Sequence, residues 1–236
     1  MTEIAIAYDV PDLRRALALD EALGAGPEYA KIGLELFAAE GPEAVRALKA
    51  RGRRVFLDLK LHDIPNTVRA AAASAARLGA DLLTVHAMGG APMVSAAVEG
   101  AGLGTRVVAV TLLTSLDAFN LPPGFEQPFH AAIVIARLAD MAERAGAHGI
   151  VCSAQDLGFV VQMRGGRPVY AVTPGIRPAG APAHDQVRVA TVAEAARAGS
   201  SLIVLGRAVT AASDPRAALA AARAELQATA VTADPS

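Results

Sequence analysis

Val55-Phe56-Leu57-Asp58-Leu59-Lys60-Leu61-His62-Asp63-Ile64-Pro65-Asn66-Thr67 changes character partway along. Its first residues are apolar, β-branched and aromatic, the composition of a buried strand. An acid, a base and a second acid then fall where that strand must end. Asp58 and Lys60 are two residues apart, so a strand turns both toward the same face. Pro65 suits the first turn of a helix, where its missing N–H costs nothing. The stretch therefore predicts a strand, a charged loop and a helix: one β/α unit with its polar groups gathered at the turn. Charges of alternating sign at the exit of an apolar strand are expensive to desolvate unless they pair with one another or meet a ligand. A structural ion pair satisfies that condition as well as an active site does, so the rest of the chain decides between them.

Working outward, short β-type runs alternate with Ala-rich amphipathic segments. Strands are predicted over 4–9, 29–33, 54–60, 81–86, 106–111, 148–153, 168–173 and 201–206. Helices are predicted over 11–23, 41–51, 66–78, 92–100, 129–144, 154–163, 192–198 and 214–226. Strand followed by helix, repeated to this count, predicts a single α/β domain, a (β/α)8 TIM barrel over residues 1–236 with a tail that frays after about 227. A doubly wound open sheet would want a Gly-rich turn after the first strand, and Asp9-Val10-Pro11-Asp12 is not one.

Composition narrows the function classes. Hydrophobic residues make up 53% of the chain, ample for a sizeable core, and a net charge of -1 leaves no electrostatic footprint for nucleic acid or an anionic membrane. A single Cys forbids an intrachain disulfide, so a reducing, cytoplasmic setting is expected. The amino terminus carries early acids and no basic region; it reads as a strand and not as a signal peptide. Apolar runs are broken well before the roughly 20 residues of a membrane span. The histidines show no i, i+4 pair and no Cys partner, so no metal site built on them and no cofactor are expected. Cys152, within an apolar strand, reads as an inert small hydrophobe. His86 reads as a rim hydrogen-bonding group, and His62 as a residue that orients the loop between Lys60 and Asp63.

A barrel of this kind carries its chemistry at the carboxyl ends of the strands. The residues there are Asp9, Lys31, Asp58 with Lys60, His86, residues 111–115, Ser153, residues 173–177, and Gly206 with Arg207. The last two barrel strands end in Thr173-Pro174-Gly175-Ile176-Arg177 and Leu205-Gly206-Arg207. Backbone N–H groups at Gly175 and Gly206, the cation of Arg207 and a short helix start at 208–210 together predict a phosphate cradle.

Asp58-x-Lys60-x-x-Asp63-Ile-x-x-Thr67 follows Tyr29-Ala-Lys31-Ile-Gly33 and precedes Thr173-Pro-Gly-Ile-Arg177, Asp185-Gln186-Val-Arg188 and Gly206-Arg207. This set resembles the orotidine 5′-phosphate decarboxylase family over nearly the whole chain, from Ile4 to about Arg223. The Asp-x-Lys-x-x-Asp motif alone marks a wider group of phosphosugar barrels; Lys31, Gln186 and Arg207 narrow it. The resemblance implies that Asp9 and Lys31 hold ribose hydroxyls and that Thr114 contacts the pyrimidine. It implies that Gln186, Gly206 and Arg207 hold phosphate, with Arg177 at the start of a closing loop. Asp58, Lys60 and Asp63 would form the charged network at the reacting carbon, with Asp63 and Thr67 supplied by the second subunit of a homodimer.

The chemistry fits these residue types. Loss of CO2 from C6 of a pyrimidine leaves a vinylic carbanion without an adjacent electron sink, so negative charge must be stabilised electrostatically and a proton delivered. An ammonium between carboxylates suits Lys60 for both tasks. A metal-dependent phosphosugar decarboxylase or aldolase would want an acid where Lys31 stands, and a Schiff-base lyase would want an amine remote from acids. A non-catalytic phosphate sensor would not need the charged network.

Overall fold

Short apolar strands must satisfy their backbone groups against one another, and in the computed structural model they do so by closing a ring. The structure describes residues 2–116, 121, 130–177 and 190–232. The ring consists of β1 Glu3–Ala7, β2 Tyr29–Ile32, β3 Arg54–Leu61, β4 Leu82–His86, β5 Arg106–Val110, β6 Gly149–Val151 and β7 Ala171–Arg177. After the two-residue β8, Ala190–Thr191, the ring is completed by β9, Leu202–Leu205. Every pairing is parallel; β1 lies between β2 and β9, and β6 pairs with β7 to close the circle. This is the closed eight-stranded TIM barrel that the alternation predicts, with β8 added at the Ile176–Arg177 end of β7.

The helices are α1 Leu13–Leu23, α2 Leu34–Glu40, α3 Pro42–Ala50, α4 Pro65–Arg77, α5 Gly90–Ala101, α6 Ala131–Arg144, α7 Ala154–Met163, α8 Val192–Arg197, α9 Arg207–Thr210 and α10 Pro215–Thr232. Their starts follow local chemistry. The Asp12 carboxylate accepts from Arg15 N at 2.8 Å to cap α1, and Thr191 with Glu194 forms a reciprocal capping box on α8. No described helix is long and apolar enough to cross a membrane.

Strand alternation divides the core. Ala5, Ala7, Tyr29, Phe56, Leu82, Val108, Val172, Leu202 and Val204 fill the barrel interior, where small alanines on β1 leave room for the rings of Tyr29 and Phe56. Ile4 and Ile6, the alternate residues of β1, face the helices together with Leu57, Leu83 and Val85.

Besides β8, three elements depart from expectation. The helix α2 is additional; Leu34-Glu35-Leu36-Phe37 is a good helical run, and Gly41, at φ 58°, ends it and sets the start of α3. The strand β7 runs on to Arg177 instead of stopping at 173, because Ile176 pairs with Leu205 across an irregularity that absorbs Pro174 and Gly175. The last helix continues to Thr232, past 226, because its Ala-rich sequence keeps helical propensity.

Close approach of α4 and α5 depends on one position. A Cβ at Gly100 would lie 2.2 Å from the Arg69 carbonyl oxygen, which is backbone and cannot swing aside. Gly100→Ala should therefore destabilise the fold by about 1–3 kcal/mol, although alanine is the better helix former. Denaturant unfolding measures this, and a variant as stable as the parent would contradict the packing.

Candidate functional site

Four charged side chains meet at the carboxyl end of the barrel, delivered by its first three strands. Asp9 lies just beyond β1, Lys31 on β2, and Asp58 and Lys60 on β3. Lys31 Nζ is 3.0 Å from Asp9 Oδ1 and 3.5 Å from Asp58 Oδ2, and Lys60 Nζ is 2.8 Å from Asp58 Oδ1. The result is a chain of alternating sign, Asp9, Lys31, Asp58, Lys60. Gly33 makes room for it, since a Cβ there would come within 2.7 Å of Asp9 Oδ1 and 3.1 Å of Lys31 Nζ.

Asp58 and Lys60 face the same cavity, as their spacing predicts, but the backbone between them is irregular. The β3–β4 register slips between Leu57 and Leu61, and Lys60 is the one described non-glycine residue at positive φ, 50°. An L-residue in this left-handed region costs about 1–2 kcal/mol. Thr84 on β4 offsets part of that cost: its hydroxyl oxygen accepts from Lys60 N at 2.8 Å, and its O–H donates to Asp58 Oδ1 at 3.0 Å. One buried threonine thus fixes both the strained main chain of Lys60 and the carboxylate that its ammonium meets.

Burial alone would push the Asp58 carboxyl up. The positive charges of Lys31 and Lys60, with hydrogen bonds from Lys60 and Thr84, outweigh it and hold the group below the ordinary carboxylate value. Burial pushes the Cys152 thiol up to about 12, with Asp156 adding to the effect, so this cysteine lines the cavity as an apolar wall and not as a nucleophile.

The cavity is about 310 Å³, within the range of small-molecule sites. Asp9, Lys31, Asp58 and Lys60 line it together with the apolar side chains of Val110, Leu112, Val151 and Val172. Thr114, Gly175, Arg177, Gly206 and Arg207 line it too. Gly175 stands at φ 78° in the β7 irregularity, a conformation that favours glycine. Gly206 precedes α9, and a Cβ there would meet nothing nearer than Ala7 Cβ at 4.0 Å. The space above the main chain at 206 is therefore open to the cavity.

Asp9, Lys31, Asp58, Lys60, Thr114, Arg177, Gly206 and Arg207 are thus brought together. Asp63 and Thr67 are not: both are exposed, and they line a separate cleft of about 300 Å³ that has Lys60 in its wall. The Asp63 carboxylate accepts from its neighbour Ile64 N at 2.6 Å. Gln186 lies outside the described residues. Sequence reasoning missed Thr84, which resembles any core threonine until β4 is laid beside β3. Among the described residues no group of three or more His, Cys, Asp or Glu side chains could hold a metal ion.

The charge network makes a pH prediction. Because the folded-state pKa of Asp58 is depressed, its carboxylate contributes stability that is present above the ordinary value of 3.8 and is lost as pH falls through the lower folded value. Asp58→Asn should therefore lie well below the parent in stability at neutral pH, and the difference should shrink below about pH 4. Denaturant unfolding at pH 6 and pH 3 checks the sign; a difference that widens toward acid would contradict it.

The family model described as Orotidine 5'-phosphate decarboxylase / HUMPS family matches residues 2–222. The chain is 56% identical over 224 residues to the orotidine 5′-phosphate decarboxylase of Anaeromyxobacter sp. strain K, covering 94% of this chain and 97% of that one. It is 50% identical over 228 residues to the orotidine 5′-phosphate decarboxylase of Thermobifida fusca, covering 96% of each. The crystal structure of orotidine 5′-phosphate decarboxylase from Lactobacillus acidophilus superimposes with a TM-score of 0.82 at 35% identity, covering 96% of this chain and 99% of that one. With the model match spanning nearly its whole length, the chain belongs to the orotidine 5′-phosphate decarboxylase / HUMPS family.

Proposed function

We propose that this protein decarboxylates orotidine 5′-phosphate to UMP, the step that completes a uridine nucleotide in pyrimidine biosynthesis, without a metal or organic cofactor. The observation that carries the proposal is the Asp9, Lys31, Asp58, Lys60 chain sharing one cavity with Gly206 and Arg207. Arg207 and the backbone at Gly206 hold the phosphate, with Gln186 and Arg177 completing the grip. Asp9 and Lys31 hold the ribose hydroxyls, and Thr114 contacts the pyrimidine.

C6 of the pyrimidine then lies at Lys60. As the C6–carboxylate bond breaks, the electron pair left on C6 is stabilised by the Lys60 ammonium, which donates its proton to that carbon. Apolar walls at Val110, Leu112, Val151 and Val172 lower the local dielectric, so the ammonium acts on the developing charge more strongly than it would in water. Phosphate contacts remote from C6 supply the binding energy that holds the reacting bond in place. A metal-dependent phosphosugar reaction fits less well, because ammonium groups stand within 3.5 Å of both Asp58 oxygens, where a divalent ion would need them.

The reading includes a homodimer in which Asp63 and Thr67 complete the partner's cavity. It is supported by their exposure outside their own cavity and by Ile64 beside them, an apolar side chain 67% exposed. A cytoplasmic location accords with the single cysteine, a free thiol.

The direct experiment follows the loss of orotidine 5′-phosphate absorbance in the presence of excess chelator. Wild-type protein should turn over, and Lys60→Ala should lose turnover while binding UMP within about a few-fold of wild type. Dependence on added divalent ion, or a Lys60→Ala variant with substantial activity, would overturn the mechanism.

Shared sites have their own test. Lys60→Ala and Asp63→Ala are each expected to be inactive as homodimers. In a mixed dimer both lesions fall in one cavity and leave the other whole. Unfolding and refolding the two together makes about half the dimers mixed, so about a quarter of wild-type activity should return. Recovery of none, with dimers confirmed by size, would place Asp63 in its own subunit's site.

A further inference from the structure

Backbone pairing between β3 and β4 ends at Leu61 opposite Val85. The next residue on each strand is a histidine, and the two imidazoles are stacked, with centroids 5.3 Å apart and planes 22° apart. The ring stack continues the contact between the strands for one more residue after the hydrogen-bond ladder stops. Beyond it, residues 62–67 are all exposed, and the Asp63 carboxylate is turned to its own main chain. The short turn after β4 closes on the pair: a Cβ at Gly89 would lie 3.3 Å from His62 Cδ2. His86 Nδ1 is buried and makes no hydrogen bond among the described residues, and the side chain meets the loop through its ring stack on His62.

We propose that His86 is a positioning residue, which through its stack with His62 sets the stance of the loop that carries Asp63. The inference rests on the reading of Asp63 as a residue of the partner's site. A neutral ring serves this role best, because Lys60 stands close by and would repel a second positive charge there. Burial, then His62 and Lys60, hold the His86 imidazole below its ordinary value, which keeps the ring neutral in the neutral range.

A flat apolar ring should replace His86, whereas a small side chain should not. In His86→Ala, kcat should fall on the order of tenfold or more while UMP affinity stays within about threefold, since a displaced group at the reacting atoms costs rate more than binding. His86→Phe should restore most of the rate. Backbone ¹⁵N order parameters at residues 62–64, 66 and 67 provide a readout independent of activity. They should drop from about 0.85 toward 0.6 or below in His86→Ala and stay high in His86→Phe. His62→Ala, made at an exposed position, removes the same stack from the other side and should copy His86→Ala even if that variant folds poorly. Unchanged order parameters in both alanine variants, or a phenylalanine variant as impaired as alanine, would overturn the proposal. A wild-type protein without decarboxylase activity would instead sink the functional reading, and the order parameters would still judge the stack.

Discussion

One buried carboxylate between two ammonium groups organises this molecule's mouth. Asp58 is 9% exposed, and its oxygens face Lys31 Nζ at 3.5 Å and Lys60 Nζ at 2.8 Å. Desolvating three charges is costly, and mutual attraction recovers that cost only when each group has a fixed partner. The neighbouring strands provide this fixity. Lys31 arrives on β2, Asp58 and Lys60 on β3, and Thr84 on β4, so three adjacent parallel strands must hold their register for the network to exist.

The strained residue in this arrangement, Lys60, is also the one to which the proposed function gives the chemistry. A regular β3 would bring Asp58 and Lys60 to one face, but the slipped register and the left-handed conformation of Lys60 give its ammonium the path it takes to Asp58. Such conformations persist only where surrounding contacts over-determine them. The Thr84 hydroxyl, bonded to both Lys60 N and Asp58, is such a contact. Pairing resumes after the slip at Leu61 opposite Val85, and beyond it the His62 and His86 rings stack.

The cavity's two halves solve different problems. Charged groups from β1 to β3 gather on one side, while β7, β9 and the start of α9 contribute Gly175, Gly206 and Arg207, where backbone can come close to a ligand. Apolar side chains from β5 to β7 line the cavity as well, and the thiol of Cys152 belongs with them because burial keeps it protonated. On the proposed reading, binding energy gathered at the glycine and arginine side is used at the charged side, where attraction in a low dielectric is strong.

Much of this was legible in the residues themselves. Short apolar runs marked the barrel strands, Pro65 suited a helix start, Asp58 and Lys60 stood out because charge at the exit of an apolar strand needs a partner, Lys31 because it falls at a strand end, and Arg207 because it follows Gly206 at the last strand. These are local signals, carried within a few residues of chain. Thr84 was silent, since a hydroxyl in Leu82-Leu83-Thr84-Val85-His86 acquires meaning only when β4 lies against β3. The left-handed turn of Lys60, the run of β7 through Pro174 and Gly175, and the placing of Asp63 outside its own cavity likewise depended on neighbours remote in sequence. Alternation and turn chemistry determine which elements form and which side chains share a face. Register, strain and the meeting of Lys31 with Asp58 are set when the ring closes, because only then does each strand acquire the two neighbours that fix its position.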